Sequence, residues 1–500
     1  MTKKIIWTIS GSDCSGGAGI AADIKTAHGL GLEICTLITA NTVQNSQQLV
    51  AVNPVDVVIL QQQFECLLED KPPSVIKIGL LVNTEQVAWL CRAIKLLRQG
   101  RPELKVIYDP VGRASVGGVL SSLSRQDLLP LLSLIDVITP NIMEAQWLAN
   151  SSETEALSLA QEILALGVKG VIIKGGHSQS NQCSDLCIVL EGSNVEQYLL
   201  TCVRIETHAS HGGGCSFASA LACFFALDYL LRDAFTLAKA YINQGLNKSA
   251  KQTSLANHYG AFEQLGWPTN KIDFPVIGYS NEHLKALESQ DTFKMLGIKR
   301  GAREKLGLYP VVDSLAWLKR LLPLGLEIIQ LRVKNLSEAQ LELIIQQAVL
   351  LSKPYKTRLF INDYWQLAIK YKAYGVHIGQ EDLIDADLSA IKQAGLRLGI
   401  STHGCYEFLL AQQLAPSYLA IGAIFPTKTK NMTGQIQGLD NLTQILTLAT
   451  DIPVVAIGGI NHERAPQVWQ TGVDSVAVVT AITEAEKPEK SVADFQQLLI

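Results

Sequence analysis

Gln330, Arg332 and Lys334 occupy alternate positions of one short run, Ile328-Ile329-Gln330-Leu331-Arg332-Val333-Lys334. Side chains at i, i+2 and i+4 of a strand point to one face, so the run reads as a buried strand that turns polar on one side. An amide and two cations converging at a strand end make a receptor for a strong anion, with diphosphate the first candidate. An edge strand carrying solvated charges is the competing reading, and the apolar residues before Gln330 weigh against it. Earlier in the chain, His211-Gly212-Gly213-Gly214-Cys215 leads straight into an apolar helix from Ser216. Glycine N–H groups can close around an anion there, and the helix N-terminus adds partial positive charge, which suits a phosphoryl group in transfer. A flexible loop before a core helix would explain the same glycines. A thiol at a helix N-terminus has a lowered pKa, so Cys215 is a candidate base; a buried structural cysteine is the bland reading.

Two carboxylates, Asp363 and Asp382, follow neighbouring strand candidates and could share one Mg²⁺ whose other ligands are phosphate oxygens and water. Asp382 reads equally as a helix cap, and Thr427 and Thr429 as ordinary loop hydroxyls. Gly458-Gly459 is either a turn or a place where backbone approaches a phosphate. Gly17-x-Gly19-x-x-Ala22 fits a dinucleotide fingerprint, but the second strand ends Thr39-Ala40-Asn41 with no acid, which excludes the nicotinamide reading.

These residues need elements to hold them, and both halves of the chain alternate short β-branched runs with helical patterns, the signature of parallel sheets. In the first half, Ile5–Ser10, Ile34–Thr39, Val75–Ile78, Lys105–Tyr108, Val137–Thr139 and Val171–Lys174 read as strands of an open sheet with helices on both faces. In the second, eight candidates occur: Leu308–Val312, Glu327–Leu331, Leu359–Ile361, Gly375–Ile378, Arg397–Ile400, Tyr418–Ile421, Val454–Ile457 and Ser475–Val479. Eight parallel strands with intervening helices fit a (β/α)₈ barrel, which places chemistry at the C-terminal strand ends. The expected division is therefore a domain over 1–268, a linker or docking segment over 269–304 and a barrel over 305–500.

With 500 residues, several cores are expected. The net charge of −4 and the absence of a basic block argue against nucleic acid and anionic membrane as partners. Ten cysteines scattered singly, with no secretory signal at the start, favour reduced thiols in the cytoplasm. The most apolar stretch, Phe217 to Leu231, contains Asp228 and is too short to span a bilayer, so it reads as a buried helix.

Several strings of the first half occur in a telling order. They are Gly11-Ser-Asp-Cys-Ser-Gly-Gly-Ala-Gly-Ile, Ala22-Asp23-Ile24-Lys25-Thr26, Ile38-Thr39-Ala40 with Gln44-Asn45, Asp109-Pro110-Val111, Ile138-Thr139-Pro140-Asn141 with Glu144, and Lys174-Gly175-Gly176-His177. As a set, over about residues 1–265, they resemble the hydroxymethylpyrimidine/phosphomethylpyrimidine kinases of thiamine biosynthesis, members of the ribokinase-like fold. The resemblance implies that Asp23 and Gln44, with backbone at Gly11, hold the aminopyrimidine. It also implies that Asn141 and Glu144 lie by the ATP phosphates and Mg²⁺, that Lys174 offsets phosphate charge and that Cys215 deprotonates the substrate hydroxyl. One departure stands out: the family's His-Gly-Thr-Gly-Cys reads here with Gly213 in place of threonine. The related pyridoxal kinases usually carry aspartate where this chain has Cys215, which favours a pyrimidine substrate.

The second half carries Gln330-Leu331-Arg332-Val333-Lys334, Ile361-Asn362-Asp363, Gly375-Val376-His377-Ile378-Gly379-Gln380-Glu381-Asp382, Phe425-Pro426-Thr427-Lys428-Thr429-Lys430 and Ala456-Ile457-Gly458-Gly459-Ile460. Over roughly residues 305–500 these strings resemble thiamine phosphate synthase. The resemblance implies that Gln330, Arg332, Lys334, Asn362 and Lys430 receive the pyrimidine diphosphate, with Ser401 near the pyrimidine and Asp363 and Asp382 on Mg²⁺. Thr427, Thr429, Gly459, Val479 and Thr480 would receive the thiazole phosphate. A kinase fused to a thiazole tautomerase, or to a non-catalytic regulatory barrel, is the competing expectation. Both families make a homo-oligomer plausible by analogy.

Overall fold

The computed structural model describes residues 4–45, 48–112, 118–176, 180–192, 194–251, 260, 262–278, 292–298, 300–301, 304–427 and 435–499. The chain divides into two compact units, Met1–Ser280 and Asn281–Ile500.

The first unit is built on ten strands: β1 (Ile5–Asp13), β2 (Glu33–Gln44), β3 (Leu49–Pro54), β4 (Val75–Ile78), β5 (Lys105–Tyr108), β6 (Val137–Ile138), β7 (Gly170–Ile173), β8 (Gln182–Glu191), β9 (Asn194–Val203) and β10 (Val276–Gly278). They form one sheet in the order β10-β9-β8-β7-β6-β5-β4-β1-β2-β3. The inner strands, β7 through β2, pair in parallel as their continuous apolar runs require. The expectation of a wholly parallel sheet is corrected at both margins, where β3, β8, β9 and β10 are antiparallel. Hairpin partners need no buried crossover, so their runs are polar enough to escape a search for buried strands. The apolar stretch from Phe217 also differs from a single helix. It ends helix α1 (Gly213–Ala226), breaks where Asp228 takes φ +64°, and restarts in helix α2 (Leu231–Ala250). No described helix is long and apolar enough to cross a membrane.

The second unit is a closed barrel of eight parallel strands: β11 (Gly307–Val312), β12 (Ile328–Leu331), β13 (Arg358–Asn362), β14 (Gly375–Ile378), β15 (Arg397–Thr402), β16 (Tyr418–Gly422), β17 (Val454–Ile457) and β18 (Ser475–Val478). Strand alternation turns Tyr309, Val311, Ile328, Phe360, Tyr418, Ala420, Val455 and Ala477 into its packed interior. Two glycines make room for the large rings. A Cβ on Gly399 would lie 2.1 Å from the Tyr418 ring, and one on Gly375 2.4 Å from the Phe360 ring.

The stretch expected to link the units is shared between them. Val276–Gly278 pairs with β9 in the first sheet. Leu296 and Ile298 pack with Leu306 into the barrel core at the N-terminal ends of the strands. That floor is held by polar ties. Ser417 donates to the Lys294 carbonyl (2.7 Å), Arg358 to the Leu296 carbonyl (3.3 Å), and the Gly301 N–H to Asp474 (3.1 Å).

Candidate active sites

In the first unit, the C-terminal ends of β1, β2, β4 and β5 and the start of α1 surround a half-open cleft, the place where open α/β sheets bind ligands. Gly11, Gln44 and Cys215 all line it, with Asp13, Thr42, Leu80, Val111 and Leu120. Gly19 takes φ +55°, and any Cβ there would lie 2.1 Å from the Gly11 carbonyl, so only glycine lets this turn fold against its own strand.

The two glycine clusters meet. Gly212 takes φ +84° with its Cα so close to the first loop that a Cβ would fall 1.8 Å from the Gly17 carbonyl. Asp13 ties the joint: its carboxylate accepts from Ser15 N–H (2.9 Å), Ser15 hydroxyl (2.7 Å), Gly17 N–H (3.2 Å) and Ala18 N–H (2.9 Å), and pairs with His211 Nε2 at 2.9 Å. Burial acts to raise its pKa, but these hydrogen bonds, His211 first, outweigh it and hold the carboxyl well below the usual range. At the start of α1, Gly213 N–H is taken by the Ser210 carbonyl (3.1 Å) and Ser216 N–H by Gly212 (2.9 Å). Gly214 and Cys215 stand in the first turn of α1, where helix geometry gives their N–H groups no carbonyl four residues back inside the helix and the dipole favours an anion.

Cys215 and Asp23 lie in surroundings that the sequence does not disclose. Cys215 lies at the helix N-terminus as read, yet its thiol is pushed up to about 11. Burial is the main cause, and the nearby Asp109 and Asp23 charges add to it against the pull of Lys77. Asp23 does not face the cleft with a free carboxylate. It is fully buried, and its oxygens are occupied by Lys77 (2.9 and 3.0 Å), Thr8 (2.6 Å) and Ser219 (2.6 Å). Asp23 therefore holds Lys77 charged beneath the site: burial alone would lower the lysine's pKa, and the carboxylate raises it. Lys77 escaped notice because it occupies the middle of a buried strand. A lysine in Val-Ile-Lys-Ile was itself the signal, since lysine is almost never fully buried unless paired.

Lys174 pairs with Asp109 at 2.8 Å, and Thr139 donates to the same carboxylate at 3.1 Å. A Cβ on Gly214 would lie 3.4 Å from Lys174 Nζ, which places this pair directly at the glycine turn. Burial and Asp109 push the Glu144 carboxyl up, opposed by Lys174. Asn141 and Glu144 also make a reciprocal capping box at the start of Ile142–Ala149 (2.9 and 2.8 Å), so both have a structural task. His177 lies outside the described residues.

In the barrel, those of the residues singled out that are described stand at or near the C-terminal strand ends. Lys334 pairs with Asp363 at 2.7 Å, and Asn362 Nδ2 donates to the same oxygen at 2.5 Å. Asp363 takes φ +64° with its N–H bonded to the His377 carbonyl (2.8 Å), a strained conformation for aspartate that aims its carboxylate at this corner. Asp382 is not a helix cap. Gly379 occupies that position and Asp382 the first turn of Gln380–Leu383. Its carboxyl is pushed up by burial first and by Asp363 second, the mark of two like charges brought together. Arg332 makes no ion pair among the described residues. Gln330 and Ser401 lie deeper, on β12 and β15.

Gly459 takes φ +64° within a loop so tight that a Cβ would meet the Pro426 carbonyl at 2.5 Å. Arg464 donates to the Gly459 carbonyl (2.7 Å) and covers the Phe425 ring, fixing the loop that leads to Thr427. Val479 precedes the short helix Thr480–Thr483. Thr429 and Lys430 lie outside the described residues.

Residues 13–260 match the family model of phosphomethylpyrimidine kinase, and residues 308–482 that of thiamine monophosphate synthase. The thiamine-phosphate synthase of Yersinia pseudotuberculosis serotype O:1b (strain IP 31758) is 57% identical over 196 residues, 39% of this chain and 91% of that protein. That of Photorhabdus laumondii is 56% identical over 195 residues, 39% of this chain and 90% of its own length. Among solved structures, the phosphomethylpyrimidine kinase of Clostridium difficile 630 is 32% identical and covers 48% of this chain and 99% of that one, with a TM-score of 0.41.

Proposed function

We propose, for a chain that belongs through its second unit to the thiamine-phosphate synthase family and carries a phosphomethylpyrimidine kinase domain in its first, that its two sites work in series on one intermediate. The first takes hydroxymethylpyrimidine and its monophosphate to the diphosphate at the expense of ATP. The pyrimidine lies in the cleft against Gly11 and Gln44, with its hydroxyl toward Cys215. Phosphoryl transfer needs little covalent help from protein, so the work falls to positioning and charge. The Gly214 and Cys215 N–H groups face the transferring phosphoryl, and Lys174 balances its charge beside Glu144. Cys215 takes the hydroxyl proton as a thiolate, the form that the Lys77 charge favours and burial opposes.

At the barrel rim the diphosphate becomes a leaving group. It departs from a methylene on an electron-rich aminopyrimidine, which stabilises the resulting cation, and the thiazole nitrogen captures it. Arg332, Lys334, Asn362 and Lys430 take the growing negative charge. Thr427, Thr429, Gly459, Val479 and Thr480 seat the thiazole phosphate in line. Asp363 and Asp382 fit a Mg²⁺ ion, because a cation between them removes the repulsion that raises the Asp382 carboxyl. When bound, Mg²⁺ would supply further charge to the leaving diphosphate. No cluster of three or more metal-ligating side chains occurs among the described residues, so its remaining ligands would be phosphate oxygens and water.

The observation that carries this reading is the meeting of Gly11, Gln44 and Cys215 in one cleft. The test is to supply the purified protein with hydroxymethylpyrimidine, ATP, Mg²⁺ and thiazole phosphate. Thiamine phosphate is expected; accumulation of pyrimidine diphosphate alone would remove the coupling step from the proposal.

A further inference from the structure

Inside the barrel, a line of hydrogen bonds joins Gln330 to Ser401 through three side chains. Gln330 Nε2 donates to the Tyr309 hydroxyl at 3.1 Å, which meets the Tyr418 hydroxyl at 2.8 Å. The Tyr418 hydroxyl meets His377 Nδ1 at 2.7 Å, and His377 Nε2 meets Ser401 Oγ at 2.8 Å. The His377 and Tyr418 rings stack at an interplanar angle of 18°. Gln330, Tyr309, Tyr418 and His377 are all buried, and burial pushes both phenols above their ordinary pKa, so each stays a hydroxyl with one proton to give.

A chain of this kind has one sense at a time. When the Gln330 amide nitrogen donates to Tyr309, Tyr309 donates to Tyr418 and Tyr418 to His377 Nδ1. A neutral imidazole then donates from Nε2 to Ser401, whose own proton turns outward. The ends are left complementary: with its amide nitrogen turned to the Tyr309 and Tyr418 hydroxyls, Gln330 offers its carbonyl as an acceptor, and Ser401 offers a donor. Turning the Gln330 amide over reverses every link and exchanges the ends, but still leaves one donor and one acceptor. We propose that Tyr309, Tyr418 and His377 are positioning residues that lock the two ends into opposite hydrogen-bonding kinds, and so select a ring edge with one donor beside one acceptor. An amine next to a ring nitrogen is such an edge. An edge with two acceptors leaves a buried acceptor facing an acceptor. The inference rests on the reading of the barrel as the coupling site, with the pyrimidine against Gln330 and Ser401 as the resemblance to thiamine phosphate synthase implies.

The test compares coupling of the aminopyrimidine diphosphate with that of an analogue bearing methoxy in place of the amine. The slower intrinsic chemistry of the analogue is common to all variants and cancels in the ratio. Tyr418→Phe cuts the line without changing ring shape, and Tyr309→Phe removes one of the two phenols that hold the Gln330 amide. Either should lower the amine-to-methoxy ratio of kcat/KM about tenfold, the worth of one hydrogen bond, while KM for thiazole phosphate stays unchanged. An unchanged ratio in both variants, with KM for the pyrimidine diphosphate still raised by Gln330→Ala and Ser401→Ala, overturns the line and spares the site. If Gln330→Ala and Ser401→Ala leave that KM unmoved, the pyrimidine placement itself is wrong and the inference goes with it.

Discussion

Cys215 and Asp13 show how differently burial treats two ionisable groups a few ångströms from the same turn. The thiol gains too little from the helix end to offset the loss of water, so it is neutral in the ligand-free site at about 11. Phosphorylation is therefore expected to accelerate from about pH 7 to about pH 9, measured as kcat/KM for hydroxymethylpyrimidine. Cys215→Ala should abolish that step and leave coupling from supplied pyrimidine diphosphate intact; loss of both would refute the assignment. Asp13 gains five bonds and stays ionised. Because its folded pKa lies below the unfolded value, its contribution is complete above about pH 4 and is lost as pH falls further. Asp13→Asn should thus lower the stability of the first unit by about 2–3 kcal/mol near neutrality, with the gap to the parent protein closing in acid. A gap constant with pH would contradict the charge argument. Cys215 and the glycines beside it were legible because they are neighbours in sequence. For the Asp23–Lys77 pair, 54 positions apart, the lysine in a buried strand signals that a partner exists, but not which carboxylate it is.

At the scale of elements, the sites depend on where backbone can approach backbone. Gly212 stands where a Cβ would strike the Gly17 carbonyl and where φ is positive, whereas the Cβ direction of Gly213 points into open space at an ordinary φ. Gly212→Ala should therefore part the two glycine loops, with loss of phosphorylation and a lowered melting temperature. Gly213→Thr, which restores the family's residue, should fold with an unchanged melting temperature and phosphorylate at least as fast. Thermal denaturation and initial rates on both variants decide this, and a destabilised Gly213→Thr would refute it. Parallel strands were legible from their unbroken apolar runs. Antiparallel margins such as β8 and β9 were not, because a strand with one wetted face resembles a loop until its partner is known.

At the scale of the whole chain, the two activities belong to two units, and the 57% identity to thiamine-phosphate synthases decides for coupling over a tautomerase or a regulatory barrel. The stretch between them is not spacer throughout. Leu296, 3% exposed, is part of the barrel core. Leu296→Ala should cost the second unit about 2–4 kcal/mol and inactivate coupling at a temperature where phosphorylation persists. Heat inactivation of the two assays in one sample measures this; parallel loss of both would argue that the units unfold together.

Sequence alone determined the parallel barrel and the parallel inner strands of the first sheet, the families the two units resemble and the strand ends where chemistry would collect. Those properties reside in periodicity and in strings of adjacent residues. Tertiary structure decided which carboxylates are free and which are already occupied, that Cys215 is held neutral, and that Gln330 and Ser401 are joined through Tyr309, Tyr418 and His377. Each of these depends on water lost and partners gained across distant parts of the chain, and neither quantity exists until the strands are assembled.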